Sequence, residues 1–177
     1  MIKQYKLLSE YNHLMNQRLY DSSSNLSDDQ LHKDQGAFFK SVIGTLNHIL
    51  VGDIIWLKRF ASHPSSKLAL SYLEKIEKPV SLDSMLYTDF DELRNEREKV
   101  DKIIIQWIAC LSDNDIKDPI SYKNMAGQCF SKSFSSLINH LFLHQVHHRG
   151  QATTLLSQLG IDFGHTDLIE LISEETI

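Results

Sequence analysis

The stretch SFSSLINHLFLHQVHHRGQATTLLSQLG, residues 133–160, decides how this chain is read. Apolar residues recur at Phe134, Leu137, Leu141, Ala152, Leu155 and Leu159, the three-and-four spacing of a helix with one buried stripe. Gly160 is positioned to cap its end. The positions that complete the stripe are His144 and His148, so this register sends both toward the interior. An i, i+4 pair projects from one face on consecutive turns, where two imidazoles can hold one divalent ion. His140 lies on the same side one turn earlier, and His147 points elsewhere.

Elsewhere in the chain the same periodicity predicts three further long helices. Leu8, Tyr11, Met15 and Leu19 mark one over 2–20, ended by the turn-forming DSSSNLSDDQ. From Ala37 to about Phe60 the chain is apolar on nearly every side, as in a helix buried between others. Leu86, Phe90, Leu93, Arg97, Val100, Ile104, Trp107 and Leu111 outline a third over about 89–111. Residues 61–85, with His63-Pro64 and Pro79, read as a long loop with a short helix near 68–76. Ile120 and Tyr122 alternate with polar residues before NMAG, which predicts a small hairpin near 118–131. Thr166 or Asp167 is placed to cap a last short helix through Ser173. The expected fold is all-α: one domain over residues 1–177, built as an antiparallel four-helix bundle.

Composition narrows the function. With 42% hydrophobic and 23% charged residues and a net charge of −5, the chain has an ordinary globular makeup and no basic footprint for nucleic acid. The most apolar run, IIIQWIACL at 103–111, is far shorter than the ~20 residues of a membrane span. The N-terminus has no unbroken apolar segment of a secretory signal, so a cytoplasmic location is expected. Cys110 and Cys129 read as free thiols in a reducing compartment.

A stable metal site needs a third protein ligand. His48, in the middle of the apolar second helix, is the best candidate: Ser41, Gly44, Thr45 and Gly52 leave space beside its ring. Close helix packing that happens to include a histidine explains the same residues equally well. Three neutral nitrogen donors would leave coordination positions open, as in catalytic and not structural sites. The zincin motif requires Glu after the first histidine, whereas this chain has Gln145. Arg97 interrupts an apolar stripe, and its expected place is at the surface with its stem packed. An inward guanidinium binding an anionic substrate group is the competing reading. Arg149 and Gln151 are expected to pair with helix ends or with Asp53.

The segments LNHILVGDIIWL (46–57) and NHLFLHQVHHRGQ (139–151) resemble the two signature regions of the DinB family. The resemblance extends over nearly the whole chain. It implies a bundle with up-down-down-up connectivity and a divalent ion held by His48, His144 and His148. The metal would be Zn, Ni, Co or Fe, all suited to three imidazoles. Relatives implied by the resemblance include transferases and isomerases that use low-molecular-weight thiols such as bacillithiol. The family name refers to DNA-damage induction, a matter of expression and not of DNA binding. The expected function is a metal-dependent thiol S-transferase, with a metal-dependent hydrolase or a non-catalytic metal-binding protein as alternatives. A homodimer is expected, both from the resemblance and from the apolar second helix.

Overall fold

The computed structural model describes residues 1–174. It is mostly helical, with a small antiparallel pair of strands. The elements are α1 (Ile2–Ser23), α2 (Asp28–His32), α3 (Val42–Phe60), α4 (Pro64–Lys67), a 3-10 turn (Ser71–Lys75), α5 (Phe90–Cys110), β1 (Pro119–Lys123), β2 (Cys129–Ser133), α6 (Phe134–Gln158) and a final 3-10 turn (Leu168–Leu171).

Local chemistry sets most boundaries. Side-chain oxygens of Ser41, Asp89 and Ser133 accept from Gly44, Glu92 and Ser136 backbone N–H groups, capping α3, α5 and α6. Ser27 and Gln30 form a reciprocal capping box that starts α2, inside a stretch whose sequence reads as turn. The hairpin pairs Ile120 with Lys132 and Tyr122 with Phe130, and Gly127 turns the chain with φ of 81°. Asp167 stands at the start of the last turn but makes no side-chain cap, and that element is a 3-10 turn ending at Leu171, not a helix through Ser173.

One expectation is corrected at the start of α3. Residues 37–41 are not helical: Lys40 donates its N–H to the Ala37 carbonyl and takes a positive φ of 67°, closing a tight turn. The turn leaves Phe38 exposed and aims Phe39 inward, so α3 begins at Val42.

The core is a continuous cluster drawn from all four long helices, including Tyr5 and Leu19 of α1, Leu46 and Ile54 of α3, Trp107 of α5 and Phe134 of α6. Helix α1 packs against α5 and α6, and α3 packs mainly against α6. Trp107 is fully buried, and its indole N–H donates to Ser66 Oγ at 2.8 Å, satisfying the polar atom. Asn47 ties the segment before α5 to α3: its Oδ1 accepts from Leu86 and Tyr87 N–H groups, and its amide donates to the Tyr87 carbonyl. Among the described residues, no helix is long and apolar enough to cross a membrane.

Candidate metal centre

Helix α6 lies between α1 and α3, so it buries two faces. Its fully covered polar positions are Gln145 and Arg149, whereas His144 and His148 are half-buried on the flank facing α3. The stripe expected from sequence therefore runs one position off at these two turns. Spacings of three and four are both helical, and the pattern alone does not choose between 144 and 145.

On that flank the two histidines meet His48 of α3. Ligand atoms of His48, His144 and His148 all lie within 4.8 Å of one another. Ring centroids are 4.2 Å apart for His48 and His148, 4.3 Å for His144 and His148, and 5.1 Å for His48 and His144. Small residues make the room. A Cβ on Gly52 would collide with the His144 ring, lying 3.0 Å from its Nδ1, and one on Gly44 would strike the Phe39 carbonyl.

Two of the rings are oriented by acceptors. His48 Nδ1 donates to the Leu82 carbonyl at 2.7 Å, and His148 Nδ1 donates to Gln151 Oε1 at 2.7 Å. A neutral imidazole carries one N–H, so both lone pairs fall on Nε2. The two Nε2 atoms face each other at 3.1 Å. Bare lone pairs at that distance repel unless an electrophile lies between them. His144 Nδ1 is buried with no hydrogen-bond partner among the described residues. The cluster favours neutral rings: burial, then the neighbouring imidazoles, pushes His144 down to about 3, and burial chiefly pushes His148 down to about 4. Burial also lowers His48. Three neutral nitrogen donors, with acceptors behind two of them, are a set that could hold a divalent ion.

The surroundings were partly hidden from sequence. Phe39 stacks on His48 with centroids 3.7 Å apart and meets His148 edge-on. Leu82 reaches the site from the long loop. Neither carries a local signal of such a role. His140 is exposed and stands outside the triad, its ring 5.9 Å from His144 and 5.0 Å from Trp56.

Behind the triad lies a buried polar network. Arg97 does not reach the surface: Nη1 donates to Asp53 Oδ2 at 2.6 Å, and Nη2 lies 2.8 Å from Asp101 Oδ1. Two buried carboxylates hold it inward, which overturns the surface reading. Arg149 donates to Asn12 Oδ1 at 2.5 Å and to Gln145 Oε1 at 3.2 Å, so it locks α6 to α1. Gln145 donates its amide to Asp53. Burial raises the Asp53 carboxyl to about 6 even beside Arg97. Among the described residues, no carboxylate joins the three histidines.

A helical fold with a convergent three-histidine cluster defines a class of chain able to hold a divalent ion. The family follows from comparison: a profile of the DinB family matches residues 1–176, and the chain belongs to that family. It is 24% identical over 161 residues to Protein DinB of Bacillus subtilis (strain 168), covering 90% of this chain and 88% of that protein. No solved structure is matched.

Proposed function

We propose that the chain is a metal-dependent enzyme in which His48, His144 and His148 bind one divalent ion, Zn, Ni, Co or Fe, and that it transfers a low-molecular-weight thiol to an electrophilic small molecule. The fold proposed with it is a single-domain four-helix bundle of α1, α3, α5 and α6, connected up-down-down-up. The observation that carries the reading is the pair of Nε2 atoms at 3.1 Å with both Nδ1 atoms already donating. Two ligands of one ion, each bonded at ~2.0–2.1 Å, can stand at that separation.

A bound ion supplies Lewis acidity that lowers the pKa of a thiol or a water. The chain's own residues do the rest. Leu82 and Gln151 fix the tautomers of His48 and His148, Phe39 covers one side of the cluster, and Gly52 admits His144. Hydrolysis is the second reading. It needs a general base beside the attacking water, and Asp53 is committed to Arg97 and Gln145 instead. A thiolate is already the nucleophile, which favours transfer.

The proposal also has the enzyme acting in the cytoplasm as a homodimer. The apolar positions of α3 are covered within one chain, so a dimer must use another surface. Sedimentation at high micromolar concentration tests it.

The decisive experiment is elemental analysis of the purified protein before and after chelation, followed by thiol transfer to a haloarene or an epoxide, comparing wild type with His148→Ala. Near-stoichiometric metal and His148-dependent transfer are expected. Metal- and His148-dependent ester hydrolysis without thiol would replace transfer by the second reading. Metal binding without either activity would leave a non-catalytic metal-binding protein.

A further inference from the structure

Three turns along α3 from His48, on the same face, stands Arg59. Eleven residues separate them, or ~16 Å along the axis. Arg59 leads into a cleft of about 300 Å³ between the end of α3, the long loop and the hairpin. Four cations line it: Lys58 and Arg59 from α3, Lys78 from the loop and Lys123 from β1. They come from three parts of the chain, so no basic run announces them in the sequence.

Two features separate this cleft from a merely solvated surface. First, among the described residues its cations form no ion pair with a carboxylate. Among the described residues, the lysines and arginines in ion pairs are Arg18, Arg94, Arg97, Lys99 and Lys102. None belongs to the cleft, although the whole chain carries a net charge of −5. Burial lowers the Lys58 ammonium, with Glu74 opposing that from a distance, and the ammonium donates to the Leu73 carbonyl.

Second, the Arg59 guanidinium is held in place. Its central carbon lies 4.4 Å from the Trp56 ring centroid and 4.9 Å from that of Tyr122. Aromatic faces hold the guanidinium in place, and among the described residues its N–H groups have no hydrogen-bond acceptor. A positioned fork of that kind suits a carboxylate or a phosphate. The cleft volume matches part of a small molecule.

We infer that this cleft binds the oxyanion, carboxylate or phosphate, of a small-molecule ligand. Trp56 joins the cleft to the cluster, since its ring meets both Arg59 and His140, and His140 adjoins His144. As the anion end of the thiol or its acceptor, the ligand would span from Arg59 to the triad. That extension rests on the metal-enzyme reading, whereas the cleft's affinity for anions does not.

The test is isothermal titration of the full-length protein with inorganic phosphate and, separately, with succinate, at constant ionic strength in chloride. Saturable binding of one or both is expected, and which anion binds names the ligand's group. Arg59→Gln and Lys123→Gln should each weaken it by about tenfold or more. Lys102→Gln, a distant cation, and His148→Ala should bind like wild type. Lys123 is exposed on the hairpin, so its variant decides the matter if Arg59→Gln does not fold. Absence of saturable binding, or affinity untouched by both cleft variants, overturns the inference. So does binding lost in His148→Ala, which would put the anion at the triad. Anion binding with no metal in the protein would leave the cleft standing and remove the metal reading.

Discussion

Gly52 lies directly beneath the imidazole of His144, and a methyl group there would stand 3.0 Å from Nδ1 and 3.3 Å from Nε2. Gly52→Ala forces the ring out of the cluster. Metal affinity should fall by at least about tenfold, as when a ligand's support is lost. Stability should change by less than ~1 kcal/mol, because alanine's helix preference offsets the crowding. Gly150→Ala, where a Cβ meets nothing within 4 Å, is the control and should gain up to ~1 kcal/mol with metal affinity intact. Competition with a chelator and urea melts read the two quantities.

Gln151→Leu removes the acceptor behind His148 Nδ1. The ring then loses its fixed tautomer. Metal affinity should fall by ~10–100-fold with little change in helix content by circular dichroism. An unchanged affinity would show that Gln151 does not orient the ring.

Arg97→Met leaves Asp53 and Asp101 buried without their cation. A loss of ~3–5 kcal/mol is expected at neutral pH. Asp53 already has a folded-state value of about 6, above its ordinary 3.8, and losing Arg97 raises it further. The folded state then binds a proton before the unfolded state does, so the variant should regain stability relative to wild type as pH falls from about 8 toward 5. Denaturant melts at the two pH values check the sign.

Acid should act on the triad in the opposite direction. His144 and His148 are held down to about 3 and about 4 against an ordinary 6.5. The unfolded chain takes up these protons first, so their contribution is present above 6.5 and is lost as pH falls through the depressed values. The stability gap between wild type and His144→Ala should therefore narrow between about pH 7 and about pH 5. A gap that is constant, or that widens, would contradict the burial of a neutral His144. Protons also compete with a bound ion, so metal release should follow the same direction.

Local chemistry was legible in the order of residues. The 3.6-residue period outlined the long helices, Ser133 and Gly160 bounded α6, and the Asn124–Gly127 turn marked the hairpin. It also singled out His48, His144 and His148, because an i, i+4 pair and a histidine among small residues are visible without coordinates. Tertiary structure decided the rest. Periodicity could not choose between His144 and Gln145 as the covered position; that followed from α6 packing against α1 and α3 at once. Arg97 looked like a surface residue until two carboxylates 44 residues before it and 4 after it turned it inward. His48 meets Leu82 across 34 residues and His148 across 100. Arg59 meets Tyr122 only because the hairpin folds back over α3. Contacts of that range leave no periodic trace in a chain, since they depend on which helix faces are buried together and not on the spacing of residues within one helix.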